Sequence, residues 1–320
     1  MEILSVIILF SGVFFLGWSN GANDASKCIG TSVGSGLLSY RRAVILVSIF
    51  VIIGGLVQGG AVVKTVGGGI VKGDIPLKAV MVLLFTAAFF VALATFFHLP
   101  VSTTHAIIGC LCGIGVALYG THSDQVAWEK VGQIAISWLF LPFISMIIAF
   151  VIYQFTVLLL RNTRKAMFWQ QVLSVLLIIS AAYGAFSLGA NNVGVIVGTL
   201  MRFYPQNKLF LLLFGVIALS IGALTYGKKV TYTLGRSIVP LDLPGAFAAQ
   251  LATALGVHLF AMMGIPVSIT QSAVGGVIGA GIVRGIKAVN FTKLRDIGIA
   301  WVLTPIATGT ITGLIYILIK

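Results

Sequence analysis

With 320 residues, 59% of them hydrophobic and only 8% charged, the chain falls outside the soluble globular class, in which charged residues make up about 25%. Its formal net charge of +13 does not point to nucleic acid, because Lys and Arg sit mostly in short connections between apolar runs, as the positive-inside bias predicts. No Walker A glycine loop occurs and no polar stretch could form a nucleotide-binding domain, so uphill movement of a solute would draw on an ion gradient or a separate partner.

In chain order, apolar runs cover 3–18, 43–63, 79–97, 106–119, 131–160, 168–190, 209–226, 245–263, 273–283 and 297–319. Several reach the ~20 residues a spanning helix needs, and others fall short. The first run lacks a basic leader, since Glu2 stands there, and reads as a retained helix rather than a signal peptide. Short runs beside Gly, Pro and polar clusters predict re-entrant or broken helices near 22–38, 79–120, 190–201 and 245–283. The densest basic cluster, Arg161-Asn162-Thr163-Arg164-Lys165, reads as a cytoplasmic connection. With both ends outside, each half then crosses an odd number of times, and the halves are inverted. Cys28, Cys110 and Cys112 read as small packing residues rather than metal or redox groups.

Three blocks recur in the same order. Gly21-Ala22-Asn23-Asp24 with Gly30-Thr31 returns as Gly189-Ala190-Asn191-Asn192 with Gly198-Thr199, an offset of 168. Pro100-Val101-Ser102-Thr103-Thr104-His105 returns as Pro266-Val267-Ser268-Ile269-Thr270-Gln271 at an offset of 166. Lys130, Trp138 and Pro142 return as Lys293, Trp301 and Pro305 at an offset of 163. Repeats of this kind in transporters place a substrate site at their interface near the bilayer midplane.

Asp24 follows an apolar helix in a Gly-rich polar segment beside Asn20 and Asn23. A carboxylate at membrane depth costs about 2.5–3.5 kcal/mol on insertion scales and commonly marks an ion path. Oxygens of Asn23, Asp24, Asn191 and Asn192, with unwound backbone carbonyls, are the expected ligands of a sodium ion (Na+). The competing reading is that Asp24 is a structural partner of Lys27, three residues on. Lys27 itself has three readings: attraction of an anion, pairing with Asp24, or snorkelling to the headgroups.

Each Pro-Val-Ser-x-Thr block stops one helix and caps the next, which predicts a helical hairpin with its tip at the block. A helix N-terminus offers unpaired N–H groups and partial positive charge, so two facing tips can hold a tetrahedral oxyanion. Ser102, Thr103, Thr104, Ser268, Thr270 and Gln271 are the expected donors, with Asn23 and Asn191 beside them. Simple capping is the rival reading for the hydroxyls. His105 is a further donor candidate, and His98 reads as a core residue. Gly109/Gly113 and Gly275/Gly279 have the small-xxx-small spacing of close helix packing.

The run Gly21 to Gly36 resembles the first signature of the inorganic phosphate transporter family, sodium- or proton-coupled carriers that include sulfate permeases. The Pro-Val-Ser-Thr-Thr-His block is similar to another of its motifs. The resemblance implies an inverted-repeat carrier with phosphate between the hairpin tips and sodium at the Asn-Asp segments. Asn192 departs from it, since the second signature usually repeats the acid. The sequence reading is therefore an all-α, polytopic transmembrane bundle of two inverted-topology repeats with paired re-entrant hairpins. It places an N-terminal repeat at 1–160, a basic linker at 161–165 and a C-terminal repeat at 166–320. The expected activity is sodium-coupled symport of inorganic phosphate by alternating access, in a multi-pass protein of the cell membrane. Sulfate, with sodium or protons, is the alternative cargo, and an anion channel is a weaker rival. No enzyme activity, organic cofactor or nucleic acid is expected. Membrane lipid is the surrounding partner, and assembly into a homo-oligomer is compatible with the reading.

Overall fold

The computed structural model describes residues 3–34, 36–97, 101–161, 165–228, 241–285 and 291–320. His98, Pro100 and positions 162–164 of the basic linker lie outside the described residues, as do Lys229, Arg236 and Lys287.

The described residues form helices: α1 (Ile3–Gly34), α2 (Tyr40–Gln58), a short α3 (Gly60–Lys64) running into one π turn (Thr65–Gly69), α4 (Leu77–Phe96), α5 (Thr103–Tyr119) and α6 (Trp128–Arg161). They continue with α7 (Ala166–Met201), α8 (Lys208–Thr225), α9 (Leu243–Met262), α10 (Ile269–Arg284) and α11 (Phe291–Ile319). Among the described residues the only β pairing is an isolated bridge between Val71 and Val126. Eight of the helices are long and apolar enough to cross a membrane, while α5 and the apolar part of α10 are shorter. The protein is a multi-pass integral membrane protein of all-helical fold.

The order of elements repeats, because α1, α2, α4, α5 and α6 have counterparts in α7, α8, α9, α10 and α11. The 166-residue offset read from the Pro-Val-Ser blocks carries the bounds of α4 onto those of α9 and the start of α5 onto that of α10. The two halves are nevertheless not side by side. The α5 helix packs along α11, α10 along α6, α2 along α7 and α1 along α8, so the main contacts cross between halves.

Glycine makes those crossings close. A Cβ on Gly109 or Gly113 would lie 2.3 or 2.0 Å from the carbonyl oxygens of Pro305 or Gly309 on α11. On Gly275 or Gly279 it would lie 2.1 Å from the carbonyl oxygen of Pro142 or Met146 on α6. The small-xxx-small pairs thus do the packing work expected of them, with Pro142 and Pro305 inside the helices they meet. A Ser145–Ser272 hydroxyl bond of 2.7 Å ties α6 to α10 beside this contact.

One expectation is corrected. The segments 21–24 and 189–192 are not unwound, and 22–38 and 190–201 are not separate re-entrant pieces. The α1 helix runs unbroken for 32 residues and α7 for 36, through both signatures. At 1.5 Å per residue each is roughly 50 Å long, more than the ~30 Å hydrocarbon core demands. The glycines there serve contact rather than breakage: a Cβ on Gly21 would lie 1.8 Å from Leu219 O, and one on Gly189 would lie 2.2 Å from Val51 O. The polar side chains find partners across helices, so the backbone keeps its own hydrogen bonds.

Candidate functional site at the crossing of α1 and α7

Asn20, Asn23, Asp24 and Lys27 follow the i, i+3, i+4, i+7 spacing and share one face of α1. All four are buried, Lys27 being 7% exposed and the others 2% or less. Asn191 and Asn192 of α7 meet them. Asn192 Nδ2 donates to Asp24 Oδ2 at 2.8 Å and to Asn20 Oδ1 at 3.0 Å. Asn191 Nδ2 donates to Asn192 Oδ1 at 2.6 Å. Asn23 Nδ2 donates to Thr95 Oγ1 at 2.7 Å, near the end of α4. The four expected cation ligands therefore lie in one buried network.

Lys27 neither snorkels nor stands free. Its ammonium is ion-paired with Asp24 Oδ1 and donates to Asn23 Oδ1 at 2.7 Å and to Val101 O at 3.3 Å. An ammonium has three hydrogens, and three oxygens receive them.

The hairpin tips close over this network. Val101, Ser102, Val267 and Ser268 are all buried, 5% exposed or less. Ser102 Oγ accepts from His105 N at 3.2 Å and Ser268 Oγ accepts from Gln271 N at 3.3 Å. Both serines are thus N-caps, which is the capping role weighed against anion binding. The threonines bridge the tips reciprocally: Thr104 Oγ1 donates to Val267 O at 3.0 Å, and Thr270 Oγ1 donates to Val101 O at 3.2 Å. Asn191 clamps the second tip, accepting from Val267 N at 3.0 Å and donating to Val267 O at 2.8 Å. Thr103, 1% exposed at the start of α5, has a hydroxyl without a hydrogen-bond partner.

The α5 and α10 N-termini, each with first-turn N–H groups that lack intrahelical acceptors, thus converge with a free hydroxyl above an ion-paired network. Such a place can hold an anion by fixed dipoles and neutral donors. His105 flanks it, with Nδ1 3.0 Å from Trp301 O and its ring stacked on Trp138 at 3.8 Å. Trp138 Nε1 donates to Pro266 O at 3.0 Å, so α6 of the first half holds the second tip.

Thr95 and Gln250 were not legible as site residues. Gln250 Oε1 accepts from Thr31 Oγ1 at 2.9 Å. Under the 166 offset Thr95 falls on Ala261 and Gln250 on Leu84, so the repeat gave no signal for either.

A family model described as "Phosphate transporter family" matches the chain twice, over residues 20–173 and 160–312. The chain belongs to the phosphate transporter family. A protein of Methanocaldococcus jannaschii named as a phosphate permease is 34% identical over 307 residues, covering 95% of this chain and 93% of that one. One of Pyrococcus furiosus, also named as a phosphate permease, is 29% identical and covers 98% of this chain and 95% of its own. A solved structure titled as the sodium-dependent phosphate transporter shares the fold, with a TM-score of 0.91 at 24% identity and 99% coverage of both chains. The family is one of transporters, in agreement with the expectation that the chain is not an enzyme.

Proposed function

We propose that the chain is a secondary carrier that moves inorganic phosphate across the membrane by alternating access, with sodium as the coupling ion. The observation that carries this reading is the meeting of two capped helix N-termini over the buried Asp24–Asn192 network. Phosphate would sit between the tips, held by first-turn N–H groups and by Thr103, with Thr104, Thr270 and Gln271 beside it. Ser102 and Ser268 shape the tips from their capping positions, and Asn23 and Asn191 border the site.

Sodium would use the oxygens of Asn23, Asp24, Asn191 and Asn192. It is supported by this all-oxygen donor set and by the name of the solved relative. A cation bound there screens the anion, so that each ligand favours the other by a reciprocal coupling. The two sequence halves, 1–160 and 166–320 around the linker at 161–165, would be inverted in the membrane. The moving parts would be the α1, α2, α7 and α8 group against the two hairpins with α6 and α11: α1 packs along α8 and α2 along α7 in the one, and α5 along α11 and α10 along α6 in the other, while the α1–α4 and α7–α9 contacts form the surface between them.

The test is uptake of labelled phosphate into liposomes holding the purified protein, with an inward sodium gradient or an equal choline gradient. Sodium-driven uptake that excess sulfate leaves untouched is the expected result. Uptake that ignores sodium removes the coupling ion, and full competition by sulfate changes the cargo.

A further inference from the structure

The environment of Lys27 is built like a cation site. A carboxylate oxygen, a side-chain amide oxygen and a backbone carbonyl, those of Asp24, Asn23 and Val101, converge on one point. These are hard, neutral-to-anionic oxygens of the kind that hold sodium at membrane depth. The point they share is filled by the Nζ of Lys27, which projects from α1 itself.

The second half shows how the same frame closes without a cation. Under the 168 offset Val195 stands in the place of Lys27 and Asn192 in the place of Asp24. The oxygens corresponding to Asp24 Oδ1 and Val101 O, namely Asn192 Oδ1 and Val267 O, are both reached by the amide nitrogen of Asn191 at 2.6 and 2.8 Å. Where the acid is lost, the cation is lost with it. Where the acid is kept, a covalently attached cation accompanies it, and each half of the network is neutral.

We propose that the Lys27 ammonium is a tethered counter-cation seated in a nest formed by Asn23, Asp24 and Val101, and that a free sodium ion enters this nest only by displacing it. This rests on the reading of Asp24 as a cation ligand. It explains how a carrier without bound ions can cross the membrane without a bare carboxylate. It also gives the coupling a physical route. Val101 O is the carbonyl next to Ser102 at the first tip, so an ammonium released from the nest is set free beside the anion position. Sodium binding then adds a positive donor for phosphate.

The experiment compares purified wild type with Lys27→Met and Lys27→Gln. Thermal unfolding is followed by tryptophan fluorescence, in sodium chloride or choline chloride at equal ionic strength and without phosphate. Removing the tethered competitor should tighten apparent sodium affinity about tenfold or more, read from the sodium concentration that raises Tm. Asp24→Asn combined with Lys27→Met should lose that response. Equal sodium responses in wild type and both single variants overturn the proposal. So does failure of both variants to fold even in saturating sodium, because an ammonium that sodium displaces must be one that sodium replaces. Sodium-driven uptake by the wild type is read separately. Its absence removes the coupling proposed above, whereas a sodium response gained by Lys27→Met would still identify the nest.

Discussion

Asn192 Nδ2 lies 2.8 Å from Asp24 Oδ2, a hydrogen bond between residues 168 positions apart that occupy the same place in the two copies of one signature. An amide donor therefore faces the remaining acid. Two carboxylates in these positions would present acceptor to acceptor, and the substitution in the second half lets the pair close without a shared proton or ion. The opposite oxygen of Asp24 faces Lys27, so the carboxylate is satisfied from both sides.

Breaking that arrangement from one side should be costly. Asp24→Asn leaves the Lys27 ammonium buried without its counter-charge, a change that costs about 3–5 kcal/mol in buried ion pairs. The expected outcome is a lower Tm together with loss of sodium-driven uptake. Adding Lys27→Met should recover most of the stability and none of the sodium response. Additive losses in that double-mutant cycle would show that the two charges do not depend on each other.

Thr103 and Thr104 are neighbours with different duties, and their valine variants should separate. Thr104→Val removes the bond to Val267 O, so it should cost stability of about 1 kcal/mol by loosening the tips. Thr103→Val removes a hydroxyl that has no protein partner and should barely change Tm. Its effect should be on phosphate: losing a donor to an anion is worth roughly 1.5–3 kcal/mol, or tenfold and more in affinity. Phosphate titrations on both variants decide the matter, and an unchanged affinity in Thr103→Val would remove that residue from the anion site.

Much of this architecture was legible in the sequence because it is written twice. The offsets of the Pro-Val-Ser blocks placed both hairpins, and the Gly109/Gly113 and Gly275/Gly279 spacings foretold close helix packing, though not that its partners are α11 and α6. The continuity of α1 was not read, although Asn20, Asn23, Asp24 and Lys27 carry a helical period. Glycine beside polar residues suggested unwinding, whereas here it admits the backbones of Leu219 and Val51. Thr95 and Gln250 were missed for a different reason: they break the repeat, and their roles depend on how helices cross, α4 against α1 within the first half for Thr95 and α9 against α1 of the other half for Gln250.

The glycine contacts yield their own test. Gly113→Ala places a methyl 2.0 Å from Gly309 O, and Gly275→Ala places one 2.1 Å from Pro142 O. Backbone must move in each case, and overpacking of this kind typically costs about 1–3 kcal/mol. Gly34→Ala, with nothing within 4 Å, should be neutral or slightly stabilising. Tm values that fail to separate Gly34→Ala from the other two would mean that the α5–α11 and α10–α6 approaches are looser than described.

Restoring the second acid should make the centre sensitive to sodium. Asn192→Asp replaces the donor at 2.8 Å from Asp24 Oδ2 with a second acceptor, so two carboxylates share the single buried ammonium of Lys27. In choline chloride the Tm of Asn192→Asp should therefore lie below that of wild type. Sodium should raise it, because a bound cation offsets the second carboxylate. A Tm that tracks wild type in both salts would mean that the two residues do not share a site.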